Sequence, residues 1–197
     1  MSSERLNAQF AFLNEADRLK SVLRGTTLND GTRRENSGEH SWHIALYALV
    51  MAEHANRPVN IDRVIRMLLI HDIVEIDAGD APIHGDHDPA EQARIEQIAA
   101  DRLFGLLPQE QGRALRDLWE EFEAAESNDA IFAKSIDRVQ PVMSNLASGG
   151  RSWIDYEVNL EQLDTRVGIK VRRGAPAVWE HLRRSIEAWF MKNPRGG

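Results

Sequence analysis

Apolar residues recur along this chain at helical spacing, and almost nowhere do they alternate as a strand requires. A first helix is predicted from about Glu4 to Arg24, with Phe10, Leu13 and Leu19 on part of its apolar stripe. The stretch from Gly25 to Gly38, rich in Gly, Asn and Arg, reads as a polar loop. A second helix covers roughly Glu39 to Asn56, and a third starts after an Asn60 cap and ends near Gly79. Asp88-Pro89-Ala90-Glu91 places a capping Asp before Pro at the first helical position and Glu at the third, opening a helix to about Leu107. Pro108 opens another to about Glu126, and Asn128 caps one that runs to about Ala147. Ser148-Gly149-Gly150 stops it. A less regular segment follows to Gly174, then a final helix from about Pro176 to Met191 and a loose tail over 193–197. No repeat or long linker divides the chain, so the expected fold class is all-α, with one helical domain over 1–197.

Composition narrows the function classes. At 197 residues, with 42% hydrophobic and 28% charged residues, the chain can bury a sizeable core and is not generally disordered. A net charge of −7 argues against a nucleic acid polymer as partner, because gripping a phosphate backbone needs a basic surface. A small phosphorylated substrate remains compatible with a local Arg/Lys pocket. Without cysteine, disulfides and thiolate metal sites are excluded. The N-terminal MSSERLNAQFAFLNEADRLK has no apolar run long enough for a signal or spanning segment, so no membrane partner and a cytoplasmic location are expected.

The chemistry concentrates where the pattern is violated. Ile61 to Ile76, IDRVIRMLLIHDIVEI, is apolar on almost every side around His71 and Asp72, which marks a buried helix. A carboxylate there needs a positive partner, and a metal ion is the best candidate for Asp72. In the second helix His40 heads a stripe with Ile44, Ala48, Met51 and Ala55 and points inward; taken alone it reads as a core or capping histidine. Asp137 shares a stripe with Ala130, Ala133 and Pro141, whose missing N–H predicts a kink; alone it reads equally well as a surface aspartate. Glu75, Asp77 and Asp80 crowd a helix C-terminus, where the dipole disfavours negative charge. For Asp77 solvation is the simpler reading; Glu75 and Asp80 are candidate catalytic groups.

The ordered set His40, His71-Asp72 and Asp137 resembles the HD-domain superfamily of metal-dependent phosphohydrolases. The nearer branch contains the bacterial 5′-deoxynucleotidases and human HD-domain-containing protein 2. The resemblance is carried by RRENSGEHSWH (33–43), LLIHDIVEIDAGDAP (68–82), LWEEFEA (118–124) and FAKSIDRVQP (132–141), and covers about 19–150. It implies an HD-domain helical bundle, a metal held by His40, His71, Asp72 and Asp137, catalytic roles for Glu75 and Asp80, a (deoxy)nucleoside 5′-monophosphate as substrate, and a homodimer. In the loop RGTTLNDG the chain keeps Arg24 but lacks the Trp that follows the Arg closely in that family.

The mixed nitrogen and oxygen ligand set suits one divalent transition metal, Mn, Co, Ni, Fe or Zn. Such an ion lowers the pKa of a water, which Glu75 can deprotonate, while Asp80 protonates the leaving oxygen or fixes a substrate hydroxyl. Arg24, Arg33 and Lys134 are the candidate phosphate contacts, with Lys134 alternatively a partner for Asp137 and Arg33 more simply a surface residue. His84 and His87 fall in the loop APIHGDHD and read first as surface residues; a second metal there would make a dinuclear oxygenase. A non-catalytic nucleotide-binding HD domain and a metal-free helical scaffold are further alternatives. Trp119 and Phe122 read as core packing, and the role of 151–197 is open.

Overall fold

A computed structural model describes residues 3–194, so positions 195–197 of the expected tail lie outside the described residues. Helix α1 (Ser3–Ala16) is shorter than expected and tightens into a 3₁₀ turn over Asp17–Ser21. Its only buried residue is Phe12, stacked on Phe104 with ring centroids 6.4 Å apart. Phe10 and Leu13, expected on the inner stripe, are exposed because α1 touches the body along a narrow line.

The expected loop holds a hairpin: β1 (Leu23–Thr27) pairs antiparallel with β2 (Arg34–Asn36), Leu23 opposite Asn36. Its buried side chains include Arg24, Thr26 and Glu35, so the apolar alternation that marks a strand is missing. Apart from this hairpin the fold is all-α.

Helix α2 (Ser37–Met51) starts from a capping box between Asn36 and Glu39. Helix α3 (Ile61–Ile70) has the expected Asn60 cap but does not run on to Gly79. It tightens at His71–Val74 into a 3₁₀ turn, followed by α4 (Glu75–Ala78). Trp119 Nε1 donates to the His71 carbonyl at 3.1 Å, supplying a partner at the point where the helix changes pitch. Asp88 caps α5 (Pro89–Phe104), and α6 (Gln109–Ala124) follows. Helix α7 (Asn128–Ser148) is capped by Ser127 rather than Asn128 and continues past Pro141.

The segment after Gly150, expected to be less regular, is a string of short helices: α8 (Arg151–Asp155), α9 (Leu160–Gln162), a π-helical turn over Leu163–Gly168, and α10 (Ile169–Gly174). Helix α11 (Pro176–Lys192) closes the described chain. Gly150 is required at the turn into α8: its φ is +81°, and a Cβ there would lie 2.0 Å from the Trp189 ring.

Two apolar clusters form the interior. One joins α2, α3, α7 and the C-terminal helices through Ile44, Leu68, Ile136, Trp153 and Trp179; the other joins Phe12, Ile73, Leu103, Phe104 and Trp119. His71 and Asp72 lie in the chain between Leu68 of the first cluster and Ile73 of the second. Among the described residues no helix is long and apolar enough to cross a membrane.

Candidate metal centre

Three elements bring four buried side chains together. His40 comes from the first turn of α2, His71 and Asp72 from the turn after α3, and Asp137 from α7. Ligand atoms of His40, His71 and Asp72 lie within 4.8 Å of one another. Asp137 Oδ1 is 3.0 Å from His40 Nε2 and 3.7 Å from His71 Nε2, and Asp72 Oδ1 is 2.8 Å from His71 Nε2.

The second nitrogen of each imidazole fixes its tautomer. Gln140 donates from Nε2 to Glu35 Oε1 at 2.9 Å, which turns its Oε1 toward His40; His40 Nδ1 must therefore be the donor across their 3.0 Å contact. His71 Nδ1 likewise donates to the Leu68 carbonyl at 2.9 Å. In the neutral rings both Nε2 atoms then carry lone pairs that face carboxylate oxygens. Lone pairs at such distances repel unless a proton or a metal lies between them.

The residues fit a metal. His71 Nε2 is buried with no hydrogen-bond partner. Ligands roughly 2.1 Å from one ion stand about 3.0–3.4 Å apart, and the separations of 2.8, 3.0 and 3.7 Å found here lie around that range. Burial by itself lowers the His71 pKa, but the facing carboxylates of Asp72 and Asp137 outweigh it and raise it to about 10. Burial pushes the Asp72 carboxyl up, yet His71 and Arg24 hold it well below the usual range. Asp137 is also held down: burial is overcome by Arg138, His40 and His71.

Beside this cluster Arg24 is buried among carboxylates, with Nη1 2.8 Å from Asp72, 3.5 Å from Asp80 and 3.6 Å from Glu75. Ser37 Oγ donates to Glu75 Oε2 at 2.5 Å, and the Gly25 N–H donates to Asp80 Oδ2 at 3.2 Å. Glu75 sits well above the usual carboxylate range, through burial first and Asp72 second, against the pull of Arg24. Burial, opposed by Arg24, also raises Asp80. Phe122 presents its ring edge to His71 at 4.9 Å between centroids.

The candidate cations divide. Lys134 lines the same cavity but pairs with Glu123 at 2.9 Å, its ammonium 4.0 Å from the Phe122 ring centroid, and not with Asp137. Arg33 is not brought to the cluster; it is exposed and pairs with Glu39 at 2.6 Å. His87 is exposed, whereas His84 is half-buried in a cavity wall, with its Nδ1 unpartnered. Burial first, then Arg166 and Arg138, lower His84 to about 4.

Sequence reasoning missed Glu35, Ser37, Gln140 and Arg138. Gln140 stands three residues after Asp137 on one helix, a spacing that could have flagged it. Glu35 has no local signal, because only the hairpin carries it inward.

Two cavities meet over the cluster and share Arg24, Asp80, Ala81 and Arg138. Counting the open solvent at their mouths, one is about 540 Å³ and is lined by His71, Asp72, Glu75 and Asp137; the other is about 590 Å³ and is walled by His84, Trp153 and Tyr156. The arrangement can bind a divalent cation, admit a small anion, and hold a proton on Glu75.

Residues 16–179 match a family model described as HD domain. The chain is 34% identical over 147 residues to the 5′-deoxynucleotidase HDDC2 of Bos taurus, covering 73% of this chain and 69% of that protein. It is 27% identical over 161 residues to a 5′-deoxynucleotidase of Yersinia pestis (strain Pestoides F), covering 77% and 81%. A crystal structure described as a predicted metal-dependent phosphohydrolase from Magnetospirillum magnetotacticum MS-1 superposes with a TM-score of 0.90. Its sequence is 44% identical, and the match covers 96% of this chain and 95% of that one.

Proposed function

The chain belongs to the HD-domain family, and from that membership we propose that it is a metal-dependent phosphohydrolase of deoxynucleoside 5′-monophosphates, cleaving their phosphate monoester. The observation that carries this reading is the convergence of His40 and His71 Nε2 on Asp137 Oδ1, with His71 and Asp137 lining a cavity that also holds Glu75 and Asp80. The names of the relatives support the substrate class.

His40, His71, Asp72 and Asp137 hold one divalent transition metal of the series Mn, Fe, Co, Ni and Zn, which suits mixed imidazole and carboxylate donors. When bound, that ion lowers the pKa of a water toward neutrality and draws charge from a phosphoryl oxygen.

The chain's own groups move the protons. Ser37 fixes Glu75 Oε2 and leaves Oε1 to accept a proton from the attacking water. Burial and Asp72 raise the Glu75 pKa, which makes it a stronger proton acceptor than a free carboxylate. Asp80, oriented by the Gly25 N–H, faces both cavities and either protonates the departing 5′-oxygen or binds a sugar hydroxyl. Arg24 spreads its charge over Asp72, Glu75 and Asp80 and offsets part of the repulsion among them. Lys134 adds positive charge at the cavity wall. The second cavity opens beside Asp80 and is walled by Trp153 and Tyr156, so the rest of the substrate would extend along it.

The whole chain acts as one HD domain, with the segment after Gly150 supplying Trp153 and Tyr156 to the wall of the second cavity. The outer face of α2 carries Trp42, Leu46, Leu49 and Val50, each at least 43% exposed, and supports pairing into a homodimer. A cytoplasmic location is part of the same reading, in keeping with the absence of cysteine.

The test is phosphate release from a panel of nucleoside monophosphates after chelation and return of single metals. Release from deoxynucleoside 5′-monophosphates, restored by metal, is expected. No release with any ion, in protein shown to contain it, contradicts the proposal.

A further inference from the structure

Arg138 follows Asp137 on α7 and stands on the wall that the two cavities share. Its side chain is only 22% exposed, and its Nε is buried without a hydrogen-bond partner. The other cations at the site are engaged: Arg24 with Asp72, and Lys134 with Glu123. Arg138 instead makes no hydrogen bond to the described residues; its Nε lies 3.4 Å from Asp137 Oδ2. A guanidinium offers five N–H donors in a planar fork, a shape that matches the oxygens of a phosphate. Apart from that ion pair the buried Nε has no partner, and a buried donor without a hydrogen bond is unfavourable unless a ligand takes it.

The charge of Arg138 is felt by its neighbours. Burial first, then Arg138 and Lys134, lower Lys170 to about 8. His84, on the opposite side of the shared wall, is depressed by burial and by Arg166 and Arg138. An anion entering here meets the Arg138 guanidinium at the junction of the two cavities, although the protein as a whole is acidic.

We propose that Arg138 is the phosphate-binding residue of this site, its guanidinium donating to non-bridging oxygens of the monophosphate and turning the phosphorus toward Glu75. The inference rests on the phosphomonoesterase reading and deepens it. It adds a substrate contact outside the set Arg24, Arg33 and Lys134. A residue that only neutralised Asp137 would affect metal retention instead, and the two roles separate experimentally.

The experiment uses the full chain loaded with metal, inorganic phosphate as the probe, and the variants Arg138→Ala and Arg138→Lys. Phosphate affinity by calorimetry, KM for a deoxynucleoside 5′-monophosphate and metal content are measured on each. Arg138→Ala is expected to weaken phosphate binding and raise KM by about ten- to a hundred-fold at unchanged metal content. Arg138→Lys keeps the charge beside Asp137 but not the fork, and recovers only part of the loss. If the alanine variant fails to fold or loses metal, the lysine variant carries the test, with reduced phosphate affinity at full metal content expected. Unchanged phosphate affinity in the lysine and alanine variants, or affinity that merely follows metal content, overturns the proposal. Hydrolysis with an unchanged KM in the variants sinks this inference alone. Phosphate binding through Arg138 without any hydrolysis by the wild type sinks the enzymatic reading instead.

Discussion

Arg24 Nη1 lies 2.8 Å from Asp72 Oδ2, and the same nitrogen reaches toward Glu75 and Asp80. One buried cation thus serves three carboxylates drawn from the turn after α3 and the segment behind it. Removing one partner of a buried ion pair leaves uncompensated charge, which costs about 3–5 kcal/mol. Arg24→Met should lower the unfolding free energy of chelator-treated protein by that order in urea titrations. Added metal should restore more stability to the variant than to the wild type. Equal stability of the two proteins in chelator would contradict this role.

Glu75 touches Ser37 and Arg24 and is placed to take a proton without ligating the metal. Glu75→Gln keeps the shape and removes the basic oxygen. Turnover should fall by about 10²–10⁴-fold, the usual contribution of a positioned acid or base. Metal content should stay at the wild-type level. Retention of full activity would remove Glu75 from the mechanism.

Burial, Arg166 and Arg138 depress His84 in the folded state from 6.5 to about 4, so the folded protein resists protonating it. The unfolded chain takes up that proton first. The contribution of His84 to stability is therefore fully present above pH 6.5 and is lost as pH falls toward about 4. Thermal melts of wild type and His84→Gln should diverge across that window, with the wild type losing more. Parallel melting curves would show that His84 does not titrate as described.

The sequence carried the helices well wherever caps and periodicity agreed, as with Asn60 before α3 and Asp88 before α5. It failed at the hairpin, because Arg24 and Glu35 are inward-facing yet charged, and such strands look like loops until their partners are known. The break at His71 was hidden for a similar reason. The helical pattern of IDRVIRMLLIHDIVEI runs on through His71 without a breaker, and only the tertiary contact with Trp119 shows where the helix tightens. The cluster His40, His71, Asp72 and Asp137 was legible through burial and order along the chain. Arg138 was not, since a cation beside an acidic residue on a helix reads as an ordinary surface pair.

Trp42, Leu46, Leu49 and Val50 form an exposed apolar stripe on α2, the helix that carries His40. If that face joins two copies, light scattering should give the mass of a dimer, and Leu49→Asp should give a monomer. A monomeric wild type at micromolar concentration would contradict the homodimer.

The most direct measurement is the metal content of purified wild type, His71→Ala and Asp137→Asn, each also tested for metal-restored phosphate release. The account predicts one ion per wild-type chain, with most metal and all hydrolysis lost in the two folded variants. A wild type that takes up no metal, or variants that keep both full stoichiometry and hydrolysis, would contradict it.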